Sequence, residues 1–93
     1  MEFEWDEAKR QEIIERRDID IVYAARIFRG PILTEQDLRK DYGEDRYIAI
    51  GLVEDRCFVV AYTYRGTVIR LITAWEGGRH VREEYKARIA GRH

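Results

Sequence analysis

Three arginines stand where a charge needs a reason. Arg46 begins one β-rich run, Arg65 sits at the turn between two others, and Arg70 falls inside Thr67–Trp75. Alternation puts Arg70 on the face of Val68, Ile72 and Ala74, with Ile69 and Leu71 on the other. A cation inside a strand that is apolar on both faces calls for a carboxylate partner or an anionic ligand. Arginine outnumbers lysine by 14 to 3, and a guanidinium grips phosphate through paired hydrogen bonds that an ammonium cannot make. Together the three could converge on a phosphodiester, although each alone reads as well as a solvated surface charge. Tyr62 and Tyr64 share a strand face with Phe58 and Val60. Packing is the first reading for them, and stacking on the bases of single-stranded RNA the second. His80, at a helix start, and His93 read as exposed spectators.

Other chemistries lack their residues. There is no Gly-rich phosphate loop, no GxSxG and no EF-hand loop. The one cysteine, Cys57, cannot form an internal disulfide, no Cys/His cluster has zinc spacing, and its apolar strand marks Cys57 as a buried thiol. Glu83 and Glu84 are adjacent on a helix and point to different faces. The net charge of −1 conceals an asymmetry, with −5 on residues 1–45 and +4 on residues 46–93. That split reads either as charges that merely solvate the surface or as a basic, anion-attracting face on the second half.

These residues must be held by one small domain, residues 1–93, 38% charged and 45% hydrophobic. No apolar stretch reaches the roughly 18 residues of a membrane span, and the acidic start MEFEWDEAK has no signal-peptide core. A reducing cytoplasm is the expected setting. Glu2–Trp5 alternates like a short strand, and Asp6 stands where an N-cap belongs for a helix through Arg17 that puts Lys9, Ile13 and Arg16 on one face. Asp20 caps a second helix, whose Ile21, Ala24, Ala25 and Phe28 form a core-facing stripe ended by Gly30-Pro31. Ile32–Thr34, Arg46–Val53, Cys57–Tyr64 and Thr67–Trp75 read as strands, the last three joined by tight hairpins. A final helix, from about Arg79 to Ile89, repeats Val81, Tyr85 and Ile89 every four residues. The expectation is an α+β fold: an antiparallel sheet of four to five strands, with two N-terminal helices and a C-terminal helix packed on it.

The motifs in this order resemble one family. F-E-W-D-E-A-K (Phe3 to Lys9), E-D-R-Y-I-A-I-G (Glu44 to Gly51), V-V-A-Y-T-Y-R-G (Val59 to Gly66), V-I-R-L-I-T-A (Val68 to Ala74) and R-E-E-Y (Arg82 to Tyr85) are similar to the BrnT toxins of BrnT–BrnA type II toxin–antitoxin modules. The resemblance covers nearly the full chain. It implies a RelE-like fold and a metal-independent ribonuclease, with no cofactor, that arrests translation. The implied partner is a BrnA-like ribbon-helix-helix antitoxin, which would neutralise the toxin and reach operator DNA on behalf of the pair. Carried over by position, the family's catalytic basic residues fall on Lys9, Arg46, Arg65 and Arg70; Arg16, Arg17, Tyr62 and Tyr64 are the candidates to contact RNA.

The sequence departs from the family pattern twice. Arg16-Arg17-Asp18 stands where Lys-His-Gly is usual, and Thr73-Ala74-Trp75-Glu76 where Ser-Ala-Arg-Lys is usual. The customary histidine proton shuttle and one phosphate-binding arginine are thereby replaced. Two other readings follow: a toxin fold retained as an antitoxin-binding co-repressor, and a general single-stranded nucleic-acid binder that would need Tyr62 and Tyr64 exposed.

Overall fold

Seven consecutive residues, Cys57 to Thr63, are buried, and such a run suits only the centre of a sheet covered on both faces. In the computed structural model, which describes residues 1–91, that strand is β4 (Arg56–Arg65). It lies between β3 (Tyr47–Val53) and β5 (Val68–Glu76), with β2 (Leu33–Gln36) and β1 (Phe3–Glu4) at the edges, in the order β1-β5-β4-β3-β2. Three helical segments complete the chain: α1 (Glu7–Arg17), α2 (Ile21–Ala24), continued by a 3₁₀ helix over Ala25–Arg29, and α3 (Arg79–Ala90). No described helix is long and apolar enough to cross a membrane. His93 lies outside the described residues.

The α+β expectation holds, but the sheet is mixed. β2, β3, β4 and β5 pair antiparallel, the last three through tight turns and the first two across the loop of residues 37–46, whereas β1 pairs parallel with β5, Phe3 against Ile69 and Glu4 against Arg70. Tight hairpins fix the direction of neighbouring strands only; β1 reaches β5 after the whole chain has folded back, so no turn constrains it. The second helix also differs. It gives way to 3₁₀ winding after one turn, and the tighter spiral brings Ile27 fully into the core while Phe28 stays half-buried.

Local signals explain the helix starts. The Asp6 carboxylate accepts from the backbone N–H groups of Ala8 (2.9 Å) and Lys9 (3.2 Å), and Asp20 accepts from Val22 (2.9 Å). α1, α2 and the 3₁₀ helix pack Ile13, Ile21, Ala24 and Ile27 on one sheet face, against Val60, Phe58, Leu71 and Ala74. Gly51 permits the approach: a Cβ there would lie 2.8 Å from Ile27 Cβ. The opposite face is covered at one end by α3, where the buried Tyr85 donates its hydroxyl to the Pro31 carbonyl at 2.7 Å. At the other end runs the loop of residues 37–46, tied down by Thr63, whose hydroxyl donates to the Asp45 carbonyl at 2.6 Å.

One irregularity aims side chains. The β4–β5 register shifts between Ala61 and Tyr62, so Ala61 faces Thr73 while Tyr62 faces Leu71. The extra residue on β5 is a bulge that interrupts alternation. Ala74, expected beside Arg70, is instead fully buried in the core with Ile69 and Leu71. Ile72 and Thr73, consecutive in sequence, both line one cleft.

Candidate functional site: a cation-lined cleft

The cleft lies between α1, the β5 bulge and the 37–46 loop, with a volume of about 390 Å³. Lys9 and Arg17 reach it from α1, Arg39 and Lys40 from the loop, and Arg46 from the start of β3; Tyr42, Ile72 and Thr73 complete the wall. Five cations and no carboxylate form its described lining. Lys9 and Arg17 are eight residues apart on the helix, about 12 Å at 1.5 Å per residue. Arg17 is held by β5: its guanidinium donates to Thr73 Oγ1 at 3.1 Å and to the Ala74 carbonyl at 2.9 Å.

Aromatic rings and carboxylates behind the wall position the rest. The Arg46 guanidinium lies 4.0 Å from the Tyr42 ring centroid, and the Lys40 ammonium approaches the same ring at 5.1 Å. Arg46 Nε is buried without a hydrogen-bond partner. Its nearest carboxylate, Glu44, is 3.8 Å away and also lies 3.7 Å from Arg65. Arg39 stacks over Trp75 at 5.1 Å and clasps Asp37 through two hydrogen bonds of 2.8 and 2.7 Å. Hydrogen bonding from Arg39 holds the buried Asp37 carboxyl down at about 2.

The structure brings together some of the residues singled out from sequence. Lys9, Arg17 and Arg46 share the cleft, and Arg65 joins Arg46 across Glu44. Lys9 is exposed at the rim with Glu12 3.9 Å away, rather than turned to the sheet. Arg70 lies outside the lining, cross-strand from Thr63 and bound to Glu4 at 2.8 Å, so the carboxylate its position demands comes from β1. Arg16 points to solvent and pairs with Glu12 at 3.0 Å. Tyr62 is 3% exposed and packs edge-on against Phe28 and Tyr64. Tyr64 is half exposed, but on the core-helix face, across the sheet from the cleft. The aromatic rings beside the cations are therefore Tyr42 and Trp75, not this pair.

Arg39, Lys40 and Tyr42 occupy a loop, where no periodicity assigns a residue to a face. Four of the five cleft cations come from the acidic first half, so the basic face is not built by the second half. Cys57 is buried as expected, and burial pushes its thiol upward. His80 is exposed on α3, outside the cleft.

Both departures from the family pattern meet at this site. Arg17, of the first departure, bonds to Thr73 and Ala74 of the second. Trp75, of the second departure, carries the guanidinium of Arg39 above its ring. Glu76 is paired with Arg56 at 3.0 Å, and Asp18 holds a left-handed turn at φ 56°, a conformation aspartate tolerates better than most residues.

No curated protein matches the chain. A family model described as "Ribonuclease toxin, BrnT, of type II toxin-antitoxin system" matches residues 5–80, a span from the start of α1's capping segment through the bulged β5 to the first turn of α3. The chain belongs to the BrnT family of ribonuclease toxins of type II toxin–antitoxin systems.

Proposed function

We propose that the chain is a metal-independent endoribonuclease that arrests translation in the cytoplasm, and that its cation-lined cleft holds the scissile phosphodiester. The observation that carries this reading is the convergence of Lys9, Arg17, Arg39, Lys40 and Arg46 on one cleft with no carboxylate in its described wall. Such a wall attracts phosphate and repels a divalent cation. Among the described residues no cluster of three or more His, Cys, Asp or Glu side chains offers a metal site.

Cleavage without a metal proceeds by attack of the 2′-oxygen on the adjacent phosphorus with loss of the 5′-oxygen. It needs a base for the 2′-hydroxyl, cations for the charge on the pentacovalent phosphorus and an acid for the leaving oxygen. Arginines stay protonated and serve the charge; Arg46 and Arg65 take that role, and Arg70 joins them on leaving its pair with Glu4. Glu44, behind the cleft wall between Arg46 and Arg65, accepts the 2′-proton in this reading. Lys9 at the rim gives its proton to the leaving oxygen. Arg17, with Arg16 farther out, guides the strand along α1. The partner of the family's type II systems is an antitoxin; a ribbon-helix-helix protein of the BrnA kind would both neutralise this chain and carry it to operator DNA.

One feature favours a second reading. The described cleft contains no histidine, and an arginine occupies the helix position where one is usual, so a toxin fold kept as an antitoxin-binding co-repressor also fits. Expression of the chain alone separates the two. Growth arrest with RNA decay, relieved by Arg46→Ala and by Arg70→Ala, is expected for the ribonuclease. Harmless expression of soluble wild-type protein assigns it to the second reading.

A further inference from the structure

Across the sheet from the basic cleft lies an apolar groove of about 630 Å³, lined by Phe3, Trp5, Phe28 and Leu71 together with Arg26 and Arg29. A second hollow of about 480 Å³ shares Phe28 and runs toward the half-exposed Tyr64, with Thr34, Glu35 and Gln36 of β2 on its wall. Phe3, Trp5 and Phe28 are half-buried there, each with one side packed on the core.

The arginines indicate the partner's chemistry. Ten of the thirteen described arginines have a carboxylate within 4.0 Å. The three without one are Arg17, in the cleft, and Arg26 and Arg29, on this groove. Arg26 rests over Tyr23 at 5.0 Å. Arg26 and Arg29 are three apart on a 3₁₀ helix, where such residues eclipse and project from one side. In a chain this rich in ion pairs, two adjacent cations without one, on the edge of an apolar groove, are complementary to an acidic amphipathic segment.

We propose that this groove is the main docking site of the antitoxin, which seats an amphipathic helix on Phe3, Trp5 and Phe28 and sets carboxylates against Arg26 and Arg29. The inference rests on the type II reading above and adds the surface to it. Its consequence is a separation of function. The groove and the cleft lie on opposite faces of β5, so the residues that hold the antitoxin are not those that hold RNA.

The test uses the full chain, the purified antitoxin encoded with it, and the exposed double variant Arg26→Glu/Arg29→Glu, with Arg26→Lys/Arg29→Lys as the charge-conserving control. Antitoxin affinity is expected to fall at least tenfold in the glutamate variant and less than threefold in the lysine variant. RNA cleavage by the variant alone should stay within twofold of wild type, while co-expressed antitoxin no longer protects the cell. Affinity within twofold of wild type for the glutamate variant overturns the proposal. So does a wild-type chain that dimerises through this face, with a mass that the charge reversal halves. A wild-type chain that binds the antitoxin at neither face overturns the partner reading itself, and the inference falls with it.

Discussion

Arg46 concentrates the physical argument at the residue scale. Its guanidinium is pressed on Tyr42, one buried N–H has no acceptor, and Glu44 stands just beyond hydrogen-bond reach. A buried donor without a partner costs about 1–3 kcal/mol, a cost that an arriving phosphate, or a small movement of Glu44, removes. Arg46→Lys keeps the charge but loses the fork and the stacking, so RNA cleavage is expected to fall about 10²–10³-fold with the thermal midpoint little changed. Equal cleavage by the lysine variant would show that charge alone suffices. Cys57 offers a contrasting case: with its thiol buried and pushed upward, it should resist a thiol-specific dye in the native chain and react in denaturant. Sequence made Arg46 visible because it opens a regular strand, and Lys9 through the family resemblance. It could not reveal that Arg70 is satisfied by Glu4, since that contact depends on a parallel pairing between residues 66 positions apart.

At the scale of elements, the β5 bulge and the 37–46 loop build the cleft, and neither is a periodic feature. The strand Thr67–Trp75 was legible, but a single inserted residue moved Ala74 into the core and turned both Ile72 and Thr73 to the cleft. The loop is anchored by Asp37 and Arg39, and the sign of its pH dependence follows. A carboxyl held at about 2 by its arginine, against an ordinary 3.8, contributes stability that is complete above the ordinary value and is lost as pH falls toward 2. Because Arg39 stacks on Trp75, tryptophan emission should stay constant down to about pH 4 and change between about 4 and 2. Asp37→Asn should already give the low-pH spectrum at neutral pH; an unaltered spectrum would separate the loop from this anchor. Gly51 tests the helix–sheet contact. Gly51→Ala drives a methyl against Ile27 at 2.8 Å, and overpacking of this kind costs about 1–3 kcal/mol, measurable as a lowered midpoint in chemical denaturation.

The whole molecule separates its charges by pairing rather than by sequence halves. Its net charge is −1, yet carboxylates are spent on structural ion pairs such as Arg10–Asp20 and Arg56–Glu76, which leaves the cleft positive. Binding to single-stranded RNA should therefore weaken steeply with salt. At about −0.7 in the logarithmic slope for each phosphate neutralised, contact with three to five phosphates gives a slope of roughly −2 to −3.5. A flat salt dependence would place RNA elsewhere. The most direct measurement is cleavage of single-stranded RNA by the purified chain in excess chelator, with Lys9→Ala and Arg46→Ala alongside. Cleavage by the wild type, leaving cyclic phosphate ends, and its loss by about 10²-fold or more in both variants is the predicted result. No cleavage by folded wild-type protein, or undiminished cleavage by both variants, would contradict the assignment of ribonuclease chemistry to this cleft.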